Sequence, residues 1–164
     1  MASFNEDVTI RGHLSASTMS IPNATLKNAA VAADAAIDAG KLVHRNQHKY
    51  SQSGSATTVT IPLFAAVLPG EILTIKAGSI GVATSDADVT IDLKKNGVSI
   101  MNGGTPITLD SGNTARVVEN GTLDTSATAY VAGDFFELVI TATANSGAVP
   151  TGLLVQVEAD EAGS

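Results

Sequence analysis

Val89, Ile91 and Leu93 alternate with Thr90, Asp92 and Lys94, the period-two pattern of a strand with one face buried and the other in water. Asn96-Gly97 follows. These two residues accept the positive φ that a tight hairpin turn demands, and Val98 and Ile100 then begin a return strand. The pattern predicts a β-hairpin over residues 87–100.

Other short apolar runs lie on both sides of it, separated by turn residues. Residues 57–67 alternate around Val59, Ile61 and Leu63, and Pro62 places that run at a sheet edge or a strand end. Residues 72–83 read as one strand, or as a pair bent at Gly78 and Gly81. Residues 105–110 and 115–118 are shorter, and residues 119–130, rich in Thr, Ser and Gly, read as a long connection. The most apolar run is 135–144, with Phe136, Leu138 and Ile140 on one face and Phe135, Val139 and Thr141 on the other. Apolar residues on both faces predict a strand covered from two sides, by its own core and by a neighbouring subunit. A last run, 153–160, precedes an acidic tail. Roughly seven to nine strands at this spacing predict an all-β sandwich, and the long connections favour a jelly-roll over an up-and-down barrel.

The first quarter of the chain differs. Val8 and Ile10 alternate with polar neighbours in residues 7–14, a short strand that needs a partner. Residues 21–42 are rich in Ala and carry Leu26, Val31, Ile37 and Leu42 every five or six positions. The segment reads either as a thin amphipathic helix capped by Asn23 or as an extended piece wound about a shared axis. In both cases it has too little apolar surface to fold alone. Residues 41–54 are polar and gather Lys41, His44, Arg45, His48 and Lys49, and residues 51–55 read as a linker. The chain therefore divides into an extended or partly helical N-terminal arm, 1–46, and a β-sandwich knob, 47–164.

Composition narrows the partners. The chain has 164 residues, 44% of them hydrophobic and 15% charged, with no Trp, two Tyr and four Phe, so small and branched side chains must build the core. A net charge of -7 repels phosphate backbones and removes nucleic acid as an expected partner. No run of about twenty apolar residues crosses a bilayer, and the N-terminal residues lack the features of an export signal, so a soluble protein without a membrane partner is expected. Without cysteine, neither disulfides nor thiolate metal sites arise.

No catalytic pattern stands out. His44 and His48 have the i, i+4 spacing that pairs zinc ligands on a helix, but no third ligand or HExxH motif accompanies them. A site assembled from three copies is the sharper reading and exposed polar histidines the plainer one. Asp86 and Asp88 resemble half of a calcium loop, without the glycine and the downstream Glu that would complete it. Gly78-Ser79-Ile80-Gly81 has the wrong spacing for a nucleophile elbow. Asn23-Ala24-Thr25 and Asn120-Gly121-Thr122 match the glycosylation sequon and read as turn-prone triplets. No cofactor and no enzymatic activity are expected.

Several pieces resemble the capsid decoration proteins of tailed bacteriophages, also called cement or head-fibre proteins. They are Val8-Thr9-Ile10-Arg11-Gly12-His13-Leu14, Ile21-Pro22-Asn23-Ala24-Thr25-Leu26, Ala35-Ala36-Ile37-Asp38-Ala39-Gly40-Lys41-Leu42, Val89-Thr90-Ile91-Asp92-Leu93, Ala132-Gly133-Asp134 and Gly152-Leu153-Leu154-Val155. The resemblance implies a homotrimer on the outer surface of an icosahedral virion, its arm clamping adjoining subunits of the major capsid protein. On that expectation Val8, Ile10 and Leu14 bind the capsid, while Leu26, Val31, Ile37, Leu42 and Phe135 make trimer contacts. A second reading is a fibre-tip or receptor-binding, lectin-like module recognising a host surface glycan. The scarcity of aromatics, with Tyr50 and Tyr130 the only tyrosines, counts against it. A hydrolase of surface polymers is a third, and requires a carboxylate pair in a cleft.

Overall fold

The computed structural model describes residues 43–162. They form strands β1 (Val43–Ser55), β2 (Val59–Ala65), β3 (Gly70–Gly78), β4 (Asp88–Lys95), β5 (Val98–Ser99), β6 (Ile107–Leu109), β7 (Val118–Asn120), β8 (Ala129–Tyr130), β9 (Phe135–Thr143) and β10 (Thr151–Ala162), with a 3-10 turn at Asn102–Gly104. One sheet runs β1-β10-β3-β7 with β8 beside β3, and the other runs β2-β9-β4-β5 with β6 beside β4. The fold is an all-β sandwich.

All pairings are antiparallel, and they nest: β1 lies on β10, β2 on β9, β3 on β7 and β4 on β6. A chain paired first-to-last in this way is one long antiparallel ribbon. Rolling it up brings β10 against β3 and β9 against β4. That is the jelly-roll order, two Greek keys sharing a core.

The core follows from strict alternation in the central strands. Phe136, Leu138 and Ile140 of β9 and Val89, Ile91 and Leu93 of β4 are fully buried, as are Val155 and Val157 of β10 and Ile75 and Ala77 of β3. Each large side chain among them contributes roughly 1.5 to 3 kcal/mol.

The Asn96-Gly97 hairpin forms as its sequence predicts. The φ values of 53° at Asn96 and 82° at Gly97 make a turn whose twist matches its strands. Its return strand is short: Val98 is 69% exposed, whereas Ile100 drops into the core. The turn is also tied to the approach of β9. The Asn96 side-chain amide donates to Asp134 Oδ1 at 2.7 Å, Phe135 N–H donates to Asn96 Oδ1 at 2.9 Å, and Lys95 Nζ donates to the carbonyls of Ala127 and Ala129.

Two expectations change, and an alternative left open for residues 72–83 is decided. The polar stretch read as leading into a linker is strand β1, which runs without a break across residues 46 and 47, where the sequence reading ends the arm. It carries no apolar alternation because it is an edge strand whose core-side positions hold Asn46, His48 and Gln52. The connection expected over 119–130 contains most of β7 and all of β8, strands of three and two residues held by their pairing to β3. The run 72–83 is a single strand ending at Gly78, and Gly81 makes only an isolated bridge to Thr151. Pro62 does sit on an edge strand, with a bulge before Phe64.

Leu138→Ala removes a side chain with no exposed surface and is expected to cost about 2–5 kcal/mol in a denaturant titration. Thr141→Ala, on the exposed face of the same strand, should change stability by less than about 0.5 kcal/mol.

Candidate interaction surface

Four large apolar side chains stand together in solvent on the outer face of the β1-β10-β3-β7 sheet: Ile80, Val117, Val118 and Leu154, at 58, 50, 48 and 41% exposure. The register explains why. Leu154 pairs with Gly78 and Gly78 with Val118, so two branched side chains flank a position that has none. The missing side chain leaves a hollow of about 200 Å³ between them, walled also by Ile80, Arg116 and Gly152. A Cβ on Gly78 would lie 2.9 Å from the Val117 carbonyl oxygen, and one on Gly152, whose φ is 65°, would strike the Ile80 side chain at 2.7 Å. Backbone bonds hold the rim: Ile80 N–H donates to the Thr151 carbonyl at 2.9 Å and Arg116 N–H to the Ser79 carbonyl at 2.8 Å.

One feature of the sequence could have revealed this patch. Leu153-Leu154 is an apolar doublet in a strand-forming run, and neighbouring strand residues point to opposite faces, so one of the two must face outward. Val117-Val118 gives no such signal, because Val117 precedes β7 and both residues are exposed. Leu153 is buried and Leu154 is not. The segment from Gly78 to Gly81, weighed above for a nucleophile, instead supplies the floor and one wall of the hollow.

Of the residues expected to make contacts, Phe135 is 42% exposed at the start of β9, beside Ala65 of β2. Val139, on the same face, is half-buried. Val8, Ile10, Leu14, Leu26, Val31, Ile37 and Leu42 lie outside the described residues. His44 and His48 sit on a strand, where residues four apart are separated by about 13 Å, too far to share one ion. Among the described residues no group of three His, Asp or Glu could hold a metal. Asp86 works as a clasp between loops, its carboxylate accepting from both the N–H and the hydroxyl of Ser146 at 3.0 and 2.6 Å. Tyr130 is buried and Tyr50 half-buried, so neither offers a free ring face of the kind that stacks on a sugar.

An aromatic column runs inward from the β1 edge. The His48 ring stacks on Phe64 at 3.9 Å, and Phe64 stacks on Phe136 at 4.5 Å. Tyr130 meets Phe136 edge-on at 5.3 Å, and its hydroxyl donates to the Asp160 carbonyl at 3.2 Å. Such pairs add about 0.5–1.5 kcal/mol beyond burial. Burial, with the nearby charges of Glu161 and Asp160, pushes the Tyr130 phenol up to about 12. Burial also lowers the His48 imidazole below its ordinary value, with Glu161 opposing. Hydrogen bonds from Ser146, Ser126 and Val131 hold Asp86, Asp124 and Asp134 below the usual carboxylate range.

No family model matches this chain, and no curated protein does. Solved structures do match. One is a chain from the structure of the infectious bursal disease virus Gx strain, with 19% identity and a TM-score of 0.31 over 75% of this chain and 33% of the other. Another, from the Gt strain of the same virus, has 17% identity and a TM-score of 0.26 over 75% of this chain and 38% of the other. This chain thus spans well under half the length of either, and likenesses of this size do not bear on what it does.

His48 gives the protein a pH signature. Its folded-state pKa lies below the unfolded value of 6.5, so its stacking contribution is complete above that pH and is lost as the pH falls through the folded value. The depressed carboxylates act in a separate, lower window, losing their contribution as pH falls below about 3.8. The melting temperature should therefore drop as the pH falls below about 6.5, and His48→Phe, which keeps the stack without the proton, should flatten that drop in thermal melts.

Proposed function

We propose that this chain is a virion structural protein without enzymatic activity. In this reading it is an outer-capsid cement or decoration protein that steadies a tailed-bacteriophage head by bridging subunits of the major capsid protein. The observation that carries the proposal is the rigid apolar patch of Ile80, Val117, Val118 and Leu154, standing on a molecule with net charge -7. Large apolar side chains gathered into one exposed patch, rather than scattered singly, are a candidate macromolecular contact. Its hollow has hydrocarbon walls and a glycine floor, a shape suited to receiving a partner's side chain rather than to orienting a substrate.

The sequence supports a second contact. The arm, with Val8, Ile10 and Leu14 assigned to the capsid and Leu26, Val31, Ile37 and Leu42 to a homotrimer, has too little apolar surface to be sheltered by itself. Three copies joined through it bind a repeating shell far more tightly than one, because each later contact is intramolecular. The acidic, Thr-rich exterior suits crowding on a particle surface, and the same charge disfavours nucleic acid.

The test uses purified particles stripped of this protein. Full-length chain should rebind and sediment as a trimer. Removal of residues 1–42 should abolish rebinding, and Leu154→Asp, at an exposed position that leaves the core intact, should weaken it by about tenfold or more. Rebinding that survives both changes, or a full-length chain that sediments as a monomer, refutes the assignment.

A further inference from the structure

We propose that the free edge of β1 is a docking site for an extended segment of another protein that alternates acidic and apolar residues, added as a further strand to the sheet. This deepens the capsid-binding reading, on which the shell protein would supply that strand.

A comparison of the sheet edges singles β1 out. Exposed strand edges invite unwanted pairing, and proteins blunt them with proline, bulges, shortness or charged side chains such as lysine; over Val43–Gln52, β1 has only the last of these, Arg45 and Lys49, a guard that still admits a strand of opposite charge. At the opposite ends, β2 carries Pro62 and a bulge before Phe64, β7 has 3 residues and β5 has 2. β1 has 13 residues, contains no proline, and stays in unbroken register with β10 from Val43 to Gln52. Among the described residues nothing pairs with its outer side.

Charge then selects the partner. Arg45 and Lys49 are exposed on the outer face of β1 and His44 is exposed on the core side, so the outermost strand carries the basic groups while Glu158, Asp160 and Glu161 lie one strand further in, on β10. Arg45 Nε donates to Asp160 Oδ1 at 3.1 Å and still has 66% of its side chain exposed, while Lys49 has no ion-pair partner among the described residues. A second copy is disfavoured in the register centred on Gln47, where antiparallel pairing of two β1 edges sets Arg45 opposite Lys49 and like charges directly opposite are destabilising; an acidic strand meets no such clash in any register. A strand with carboxylates four residues apart places them about 13 Å apart, matching Arg45 and Lys49.

The other face of such a strand has a use as well. On the core side of β1, His48 and Tyr50 are half-buried, and so are Val59, Ile61 and Phe64 of the neighbouring edge strand β2. His48 stacks on Phe64 across that flank, and these side chains keep part of their surface in solvent. Apolar side chains at the alternate positions of an added strand would extend the core over it. Acidic on one face and apolar on the other is the pattern the edge calls for.

The experiment follows amide hydrogen exchange in the full-length protein with and without a synthetic extended peptide alternating glutamate and valine. A peptide with lysine in place of glutamate is the control. The outward amides of residues 43–52 should exchange about tenfold more slowly with the glutamate peptide, less so at high salt, and not with the lysine peptide. Lys49→Glu combined with Arg45→Gln should remove the protection without moving the melting temperature, since both positions are exposed. No protection of β1, equal protection by both peptides, or slow exchange of the outward amides in the free protein overturns the proposal. The peptide replaces the shell, so failure of particle rebinding with protection intact would refute the cement reading and leave the docking edge standing.

Discussion

Phe136, Leu138 and Ile140 on β9 share one core with Leu153, Val155 and Val157 on β10, none of them more than 1% exposed, and the rest of the sandwich depends on that contact. β9 and β10 are the long central strands of the two sheets, and they follow one another in the chain. Each pairs with an early strand on one side, β2 or β1, and with a middle strand on the other, β4 or β3. Burying their inner faces together forces the first half of the chain to wrap around the second. With 4% aromatic residues and no tryptophan, the core is built mainly from branched aliphatics. The one aromatic column, from His48 to Phe136, fills the flank between β1 and β2.

Much of the acidity is put to local use. Asp86, Asp124 and Asp134 each accept hydrogen bonds from a nearby backbone N–H, satisfying turn donors that no strand reaches. These are exposed carboxylates, so they set loop geometry more than global stability. Asp134 is the best connected, since through Asn96 it ties the β4–β5 turn to the start of β9. The β4–β5 turn and the segment leading into β9 are thereby joined to one another by hydrogen bonds.

The two sheets differ in what they offer to other molecules. The β2-β9-β4-β5 sheet has edges broken by proline, a bulge and short strands, and an outer face on which Thr60 and Thr141 lie exposed beside half-buried Val139. The β1-β10-β3-β7 sheet carries both the long regular edge and the glycine-floored apolar hollow. Leu154 pairs with Ser51 of β1, so the hollow and the edge lie on one continuous sheet, and a large partner could engage both.

Local chemistry made much of the fold legible. Asn96-Gly97 determined the hairpin because few residue pairs accept positive φ in succession. The alternation of Val89, Ile91 and Leu93, and of Phe136, Leu138 and Ile140, determined which faces are inside, since a strand cannot turn one side chain without turning all of them. The edge strand β1 was not legible, because a strand with polar residues on both faces has no period to read and owes its form to the backbone of β10. The apolar hollow was not legible either. It exists only where Gly78, Val118 and Leu154, far apart in sequence, become neighbours across three strands, and that register is set by the burial of the opposite face of the sheet.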